Sequence, residues 1–168
     1  MNLFKIERLA LTHDLETSIL LKEVYEGLEN KDYFALENES PLEKDGYLYK
    51  AYFNLTGELA SVFALLFPHL TEENLGYDIA LDKEELEYVA IADVAATRER
   101  FRGNKLQQRL MMAGEEDASA LGYRYIMCTI HPDNEPSLNN ALGLGYQIMV
   151  TKTMYRGLIR HILMKKLK

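Results

Sequence analysis

The chain has 168 residues, of which 48% are hydrophobic and 27% charged. That is about one domain of ordinary globular sequence, and it argues against disorder. The 19 Lys and Arg against 26 Asp and Glu leave a net charge of −7, which disfavours nucleic acid as a partner, and the single cysteine excludes both an intrachain disulfide and a multi-cysteine zinc site.

One cysteine, Cys128, also fits a reducing, cytoplasmic location. The start of the chain has no signal-peptide hydrophobic run, and the longest apolar run, near Val62 to Phe67, is far short of the roughly 20 residues of a membrane span. Asn2 to Leu9 alternates weakly and predicts a first strand. His13-Asp14 opens a helix on which Leu15, Ile19, Val24 and Leu28 recur, ended by Glu29-Asn30-Lys31-Asp32. Tyr33 to Glu43 predicts a loop with a short helix. Gly46 to Asn54 and Glu58 to Phe67 read as an antiparallel hairpin around Asn54-Leu55-Thr56-Gly57, stopped by Pro68.

Between Thr71 and Tyr88 lie seven acids and one base, Lys83, so this stretch is expected to face a cationic partner. Glu87 to Thr97 is nearly continuously apolar, as in a strand covered on both faces, and Asp93 interrupts it. From Arg98 to Arg109 the balance reverses, with five bases and one acid. Leu106, Leu110, Ala113, Asp117 and Leu121 mark a helix from about Gly103 to Leu121, and Gly122 ends it. Tyr123 to Ile130 is a further apolar strand. Asp133-Asn134 caps a short helix ending near Gly143. Tyr146 to Thr153 and Leu158 to Lys166 form a last hairpin joined at Tyr155-Arg156-Gly157. The expected architecture is an α/β (α+β) fold in one domain. It has a mixed, mostly antiparallel sheet of about seven strands, helices on both faces, and one parallel pair with a right-handed crossover.

The segment Val94 to Met111 carries the chemistry. A buried strand enters a basic turn and then a helix, whose first amides have no internal partner and whose dipole favours an anion. With Arg102 and Lys105 this is a phosphate cradle. It is neither a GxxxxGK[ST] loop nor a GxGxxG fingerprint.

Arg102-Gly103-Asn104-Lys105-Leu106-Gln107, followed by Leu110, resembles motif A of the GCN5-related N-acetyltransferases (GNAT). Lys105 and Gln107 stand where that pattern usually has glycine. A second block, Ile126 to Asn134, then Ser137, then Leu144-Gly145-Tyr146, is similar to the family's motif B. The resemblance covers about residues 86 to 166. It implies an N-acetyltransferase that moves an acetyl group from acetyl-CoA to a primary amine of a cationic acceptor, by direct attack in a ternary complex. The pyrophosphate would lie on Arg102 and the amides of Gly103, Asn104, Lys105, Leu106, Gln107 and Gln108, with Asn134 nearby. The pantetheine arm would pair with Ala95, Ala96 and Thr97, which requires the central parallel strands to splay there. Lys105 is expected to be helical if it is to replace the glycine.

A lysine-like amine is about one part in 10³ neutral at pH 7, so its deprotonation costs about 4.6 kcal/mol. A base on the strand before motif A would help supply it. Ile91 cannot; Asp93, its pKa raised by apolar neighbours, is the expected base and Glu87 the second choice. The family's tyrosine acid falls here on Ala141. Tyr155 and His131 are the candidate replacements, while Cys128 is read as a core residue and no metal is expected. The other reading is a catalytically silent acyl-CoA-binding or protein-interaction module on the same fold. The protein would be a monomer or a homodimer, without nucleic acid or membrane.

Overall fold

The computed structural model of the protein describes residues 2–34, 44–154 and 157–168. The expected loop at 35–43 and Tyr155 lie outside the described residues.

Seven strands form one sheet in the order β1-β2-β3-β4-β5-β7-β6. They are β1 (Phe4–Ala10), β2 (Gly46–Phe53), β3 (Leu59–Leu66), β4 (Val89–Thr97), β5 (Tyr125–Ile130), β6 (Gln147–Met154) and β7 (Leu158–Lys166). Among the described residues three α-helices accompany them: α1 (Leu15–Glu26), α2 (Leu106–Ala120) and α3 (Glu135–Gly143). All neighbours pair antiparallel except β4 and β5. This is the mixed sheet expected from the alternation of strand and helix patterns. No helix among the described residues is long and apolar enough to cross a membrane.

The sheet divides the core. Tyr49, Phe63, Ala90 and Ile126 meet Leu106, Leu110, Met111 and Ala118 of α2 and Ala141 of α3 on one face. On the other, Leu48, Val62, Ala64 and Ala96 meet Leu20 of α1. A close approach of α2 to the sheet depends on Gly114, where an added Cβ would stand 2.6 Å from Cε2 of Phe63.

The apolar face expected for α1 is not the one used. Leu15 and Ile19 are exposed, while Thr17 and Leu20 are buried and Leu21 and Val24 pack against the same cluster. From Leu15 to Val24 is nine residues, about two and a half turns, so these two leucine-like positions point oppositely. The helix also begins later than expected in α2. Gly103, Asn104 and Lys105 form a loop, and Lys105 is in the left-handed region (φ 56°, ψ 30°) instead of helical.

Two irregularities in β4 position the site. Ala64 faces Val94 while Leu65 faces Ala92, so Asp93 is an extra residue in the register against β3, a β-bulge. Toward β5, only Val89, Ala90 and Ile91 pair, opposite Tyr125, Ile126 and Met127. Beyond Ile91 the two strands diverge, although β5 stays paired with β7 as far as Ile130 and His161. The splay that the GNAT resemblance implied is present.

Candidate active site

The divergence of β4 and β5 opens into a cavity of about 860 Å³. That is within the usual size range of small-molecule sites. Ala92, Asp93, Val94 and Ala95 of β4 form one wall, and Cys128, Thr129 and Ile130 of β5 the other. On the α2 side it reaches Gln107, Met111, Asn134, Ser137, Asn140 and Ala141. On the α1 side it continues past Leu11, His13, Asp14, Thr17 and Leu21 to Tyr33, Phe34 and Arg160. It therefore passes through the sheet, with one compartment on each face.

The α2 compartment touches the first turn of α2 at Gln107, while Arg102 to Leu106, Gln108, Ala96 and Thr97 are outside the cavity lining. Lys105 occupies the N-cap position with no side-chain cap, and no acid sits in the first turn. The first intrahelical bond to leave the loop is donated by the Arg109 amide to the Lys105 carbonyl (2.9 Å). The amides of Leu106, Gln107 and Gln108 precede it and have no partner among the described residues. Gly103 takes φ 88°, a conformation that suits glycine alone, and the Asn104 side-chain amide donates to the Phe101 carbonyl (2.8 Å), holding the turn. Arg102 and Lys105 are exposed, whereas the Leu106 side chain is core, so Leu106 offers only its amide. These residues suit a diphosphate: free amides, a helix dipole and two cations converge.

Asp93 lies on the cavity wall but is exposed, which corrects the expectation that apolar neighbours desolvate it. The bulge turns it away from the strand's two packed faces. Glu87 belongs to the short turn Leu86–Tyr88, before β4, and is not among the cavity residues. Ala95 and Ala96 follow the bulge, Ala95 lining the cavity and Ala96 packing toward α1. Thr97 is held by Ser61, whose hydroxyl lies 2.8 Å from the Thr97 Oγ1 and donates to the Ala96 carbonyl (3.0 Å).

His131 is 8% exposed and does not line the cavity. Its Nδ1 accepts the Asp133 amide (3.0 Å) and its ring rests against Tyr33, with centroids 5.0 Å apart. Those contacts hold the loop before α3. Asn134 occupies the N-cap of α3, makes no side-chain cap bond and lines the cavity. Ala141 is buried on the cavity wall, so no phenol stands there. Burial, with Glu115 adding repulsion, pushes the Cys128 thiol up to about 12, so it is a neutral wall residue.

The acidic stretch does not face the cavity. Glu73 pairs with Lys44 (2.6 Å), Asp78 with Lys152 (2.6 Å) and Glu85 with Arg124 (2.9 Å). Three of its seven acids are met by bases distant in sequence, and none of the seven lines the cavity, which corrects the assignment of that stretch to the acceptor. Met111 and Arg160 of the cavity were not singled out in the sequence, whereas Ser137 belongs to the motif B block. Met111 follows Gln107 by four residues and Ser137 follows Asn134 by three, so helical spacing places each pair on one face. Arg160, 2% exposed, gave no such signal.

No family model and no curated protein matches the sequence. Solved structures do match. A GCN5-related N-acetyltransferase from Kribbella flavida superposes with a TM-score of 0.71 at 14% identity, covering 98% of each chain. A Bacillus subtilis acetyltransferase in complex with CoA gives 0.65 at 17% identity, covering 98% of this chain and 100% of that one. A putative acetyltransferase from Salmonella typhimurium with its cofactor acetyl-CoA gives 0.64 at 11% identity, covering 99% and 95%. The chain has the GNAT fold.

Proposed function

We propose that this chain is an N-acetyltransferase that moves an acetyl group from acetyl-CoA to a primary amine. The observation that carries the reading is that the strand splay and the bulge at Asp93 open on one cavity that touches the first turn of the uncapped α2 at Gln107. Structural neighbours that hold CoA or acetyl-CoA support it. Arg102 and the amides of Gly103 to Gln108 would take the diphosphate, Gln107 and Asn134 would flank the arm, and Ala95, Ala96 and Thr97 would pair with the pantetheine. Backbone amides beside the bulge would polarise the thioester carbonyl.

Asp93, directly or through a water, takes one proton from the acceptor ammonium. The freed nitrogen bonds to the acyl carbon, the C–S bond breaks, and the second nitrogen proton ends on the departing sulfur. With Ala141 on the wall, no phenol stands at that position of α3 to act as the acid. Tyr155 and His131 remain the proposed groups for that proton, His131 through a rearrangement of its bond to Asp133.

Calorimetry with acetyl-CoA, followed by thiol release over an amine panel, tests the reading. Asp93→Asn is expected to lower kcat by about 10²-fold with acetyl-CoA affinity unchanged. Equal turnover at pH 7 would remove Asp93 as the base. The alanine at position 141 favours the second reading, a silent acyl-CoA-binding module, and binding without turnover on any amine would establish it.

A further inference from the structure

The sheet ends in two edge strands, β1 and β6, and they differ. β6 is bulged: Ile148 faces Leu163 and Val150 faces Ile162, so Met149 is an extra residue. A bulge on an edge discourages a further strand from adding there. β1 pairs with β2 without a register shift, from Phe4 opposite Phe53 to Ala10 opposite Tyr47. The Asn54 amide donates to the Leu3 carbonyl (2.8 Å) and the Leu11 amide to the Gly46 carbonyl (3.0 Å). In an antiparallel ladder alternate residues bond to the same side, so Lys5, Glu7 and Leu9 bond toward β2. The backbones of Phe4, Ile6, Arg8 and Ala10 therefore turn outward. The Asn2 side chain takes the Phe4 amide (3.2 Å). The Phe4 carbonyl and the backbone groups of Ile6 and Arg8 have no partner among the described residues.

We propose that β1 pairs with β1 of a second copy of this chain, antiparallel, across a two-fold axis at Ile6. Outward groups bond only to outward groups, which puts the axis on a residue, and the side chains select the residue. An axis at Lys5 sets that lysine against its own copy, and axes at Glu7 and Arg8 do the same to those residues. The axis at Ile6 sets each Lys5 opposite the second copy's Glu7, and no other centre on β1 pairs opposite charges. Opposite charges facing across a ladder stabilise it, and like charges destabilise it. Lys5 already stands 3.0 Å from Glu7 of its own strand, and both side chains are exposed. In the dimer these charges alternate around a square, each beside two of the other sign. The Ile6 amide and carbonyl bond reciprocally with those of the second copy, and each Arg8 amide donates to the second copy's Phe4 carbonyl.

The test is sedimentation velocity of the full chain at micromolar concentration, pH 7 and low salt, where a dimer is expected. Lys5→Glu, at an exposed side chain, should weaken it at least tenfold by setting carboxylates against each other. Adding Glu7→Lys to that variant should restore the dimer, because the facing charges again differ in sign. A chain that stays monomeric overturns the inference. So does a dimer indifferent to Lys5→Glu, or one that the exchanged pair does not restore. Cross-linking fixes the register independently. Facing Cα atoms of a hydrogen-bonded antiparallel pair lie about 5.5 Å apart, within disulfide reach. Ile6→Cys is expected to give an intermolecular disulfide on mild oxidation and Ala10→Cys is not, with Cys128 buried and out of reach. Cross-linking of both variants, or of neither, contradicts an axis at Ile6.

Discussion

The starts of α1 and α2 carry the same dipole and the same unpaired amides, yet they end in opposite ways. At α1 the N-cap is Asp14 in extended backbone (φ −117°, ψ 157°), and its carboxylate accepts the Thr17 amide at 2.8 Å. Glu16 adds a second carboxylate in the first turn, and Lys50, 5% exposed, pairs with both, at 2.8 Å and 2.7 Å. The Thr17 amide and the dipole of this helix end are met by its own carboxylates. At α2 the N-cap is a left-handed Lys105 without a cap bond, beside an exposed Arg102, and the first amides stay open. The dipole alone does not make an anion site; the residue at the cap decides whether the end is closed or available.

Breaking the closed start should have the largest effect, and on stability alone. Lys50→Met leaves Asp14 and Glu16 without their cation, at a cost of about 2 kcal/mol, since both carboxylates are partly solvated. Urea unfolding at pH 7 measures it, and acetyl-CoA affinity of the folded protein should be unchanged. The acid limb should change too. Burial pushes the Asp14 carboxyl up, but hydrogen bonds from Lys50 and Thr17 outweigh it and hold it below its ordinary value. Glu16 is held low first by Lys50 and then by Tyr52. Groups so depressed stabilise the fold above their unfolded pKa, about 4, and that stability is lost as pH falls through their lower folded values. In Lys50→Met the loss of stability below about pH 4 should be shallower. Parallel acid limbs would show that Lys50 does not hold these carboxylates down.

Breaking the open start should act on binding alone. Arg102→Glu places a negative charge beside the amides and is expected to weaken acetyl-CoA at least tenfold, about 1.4 kcal/mol. Arg102 is exposed, so the unfolding midpoint should not move. An unchanged dissociation constant would contradict the assignment of the diphosphate to α2.

The same contrast explains what could be read from sequence. The splay was implied by the resemblance to the GNAT family; the opening of α1 at Asp14 and the succession of strand and helix segments followed from residue type and spacing, because caps and periodicity are local. The buried face of α1 did not, because apolar residues stand on both sides of that helix and only the sheet selects one. Nor did the bulge at Asp93, which is a register shift against β3 and leaves no mark on β4 alone. The acidic stretch misled because its partners, Lys44, Arg124 and Lys152, lie far away in the chain.

The smallest effect, at Lys105, separates the two properties that Arg102 cannot. A side chain in the left-handed region costs about 1–2 kcal/mol, and glycine would relieve it while adding about 0.5–1 kcal/mol of chain entropy to be lost on folding. Lys105→Gly should therefore stabilise the fold by about 0.5 kcal/mol, seen as a small rise in Tm. Its effect on acetyl-CoA should have the opposite sign, a severalfold loss, if the Lys105 ammonium serves the diphosphate. A gain in affinity would mean that the amides alone form the cradle and that the lysine side chain crowds it. The difference between those outcomes decides whether a cation at the cap has taken over what glycine's close approach would otherwise supply.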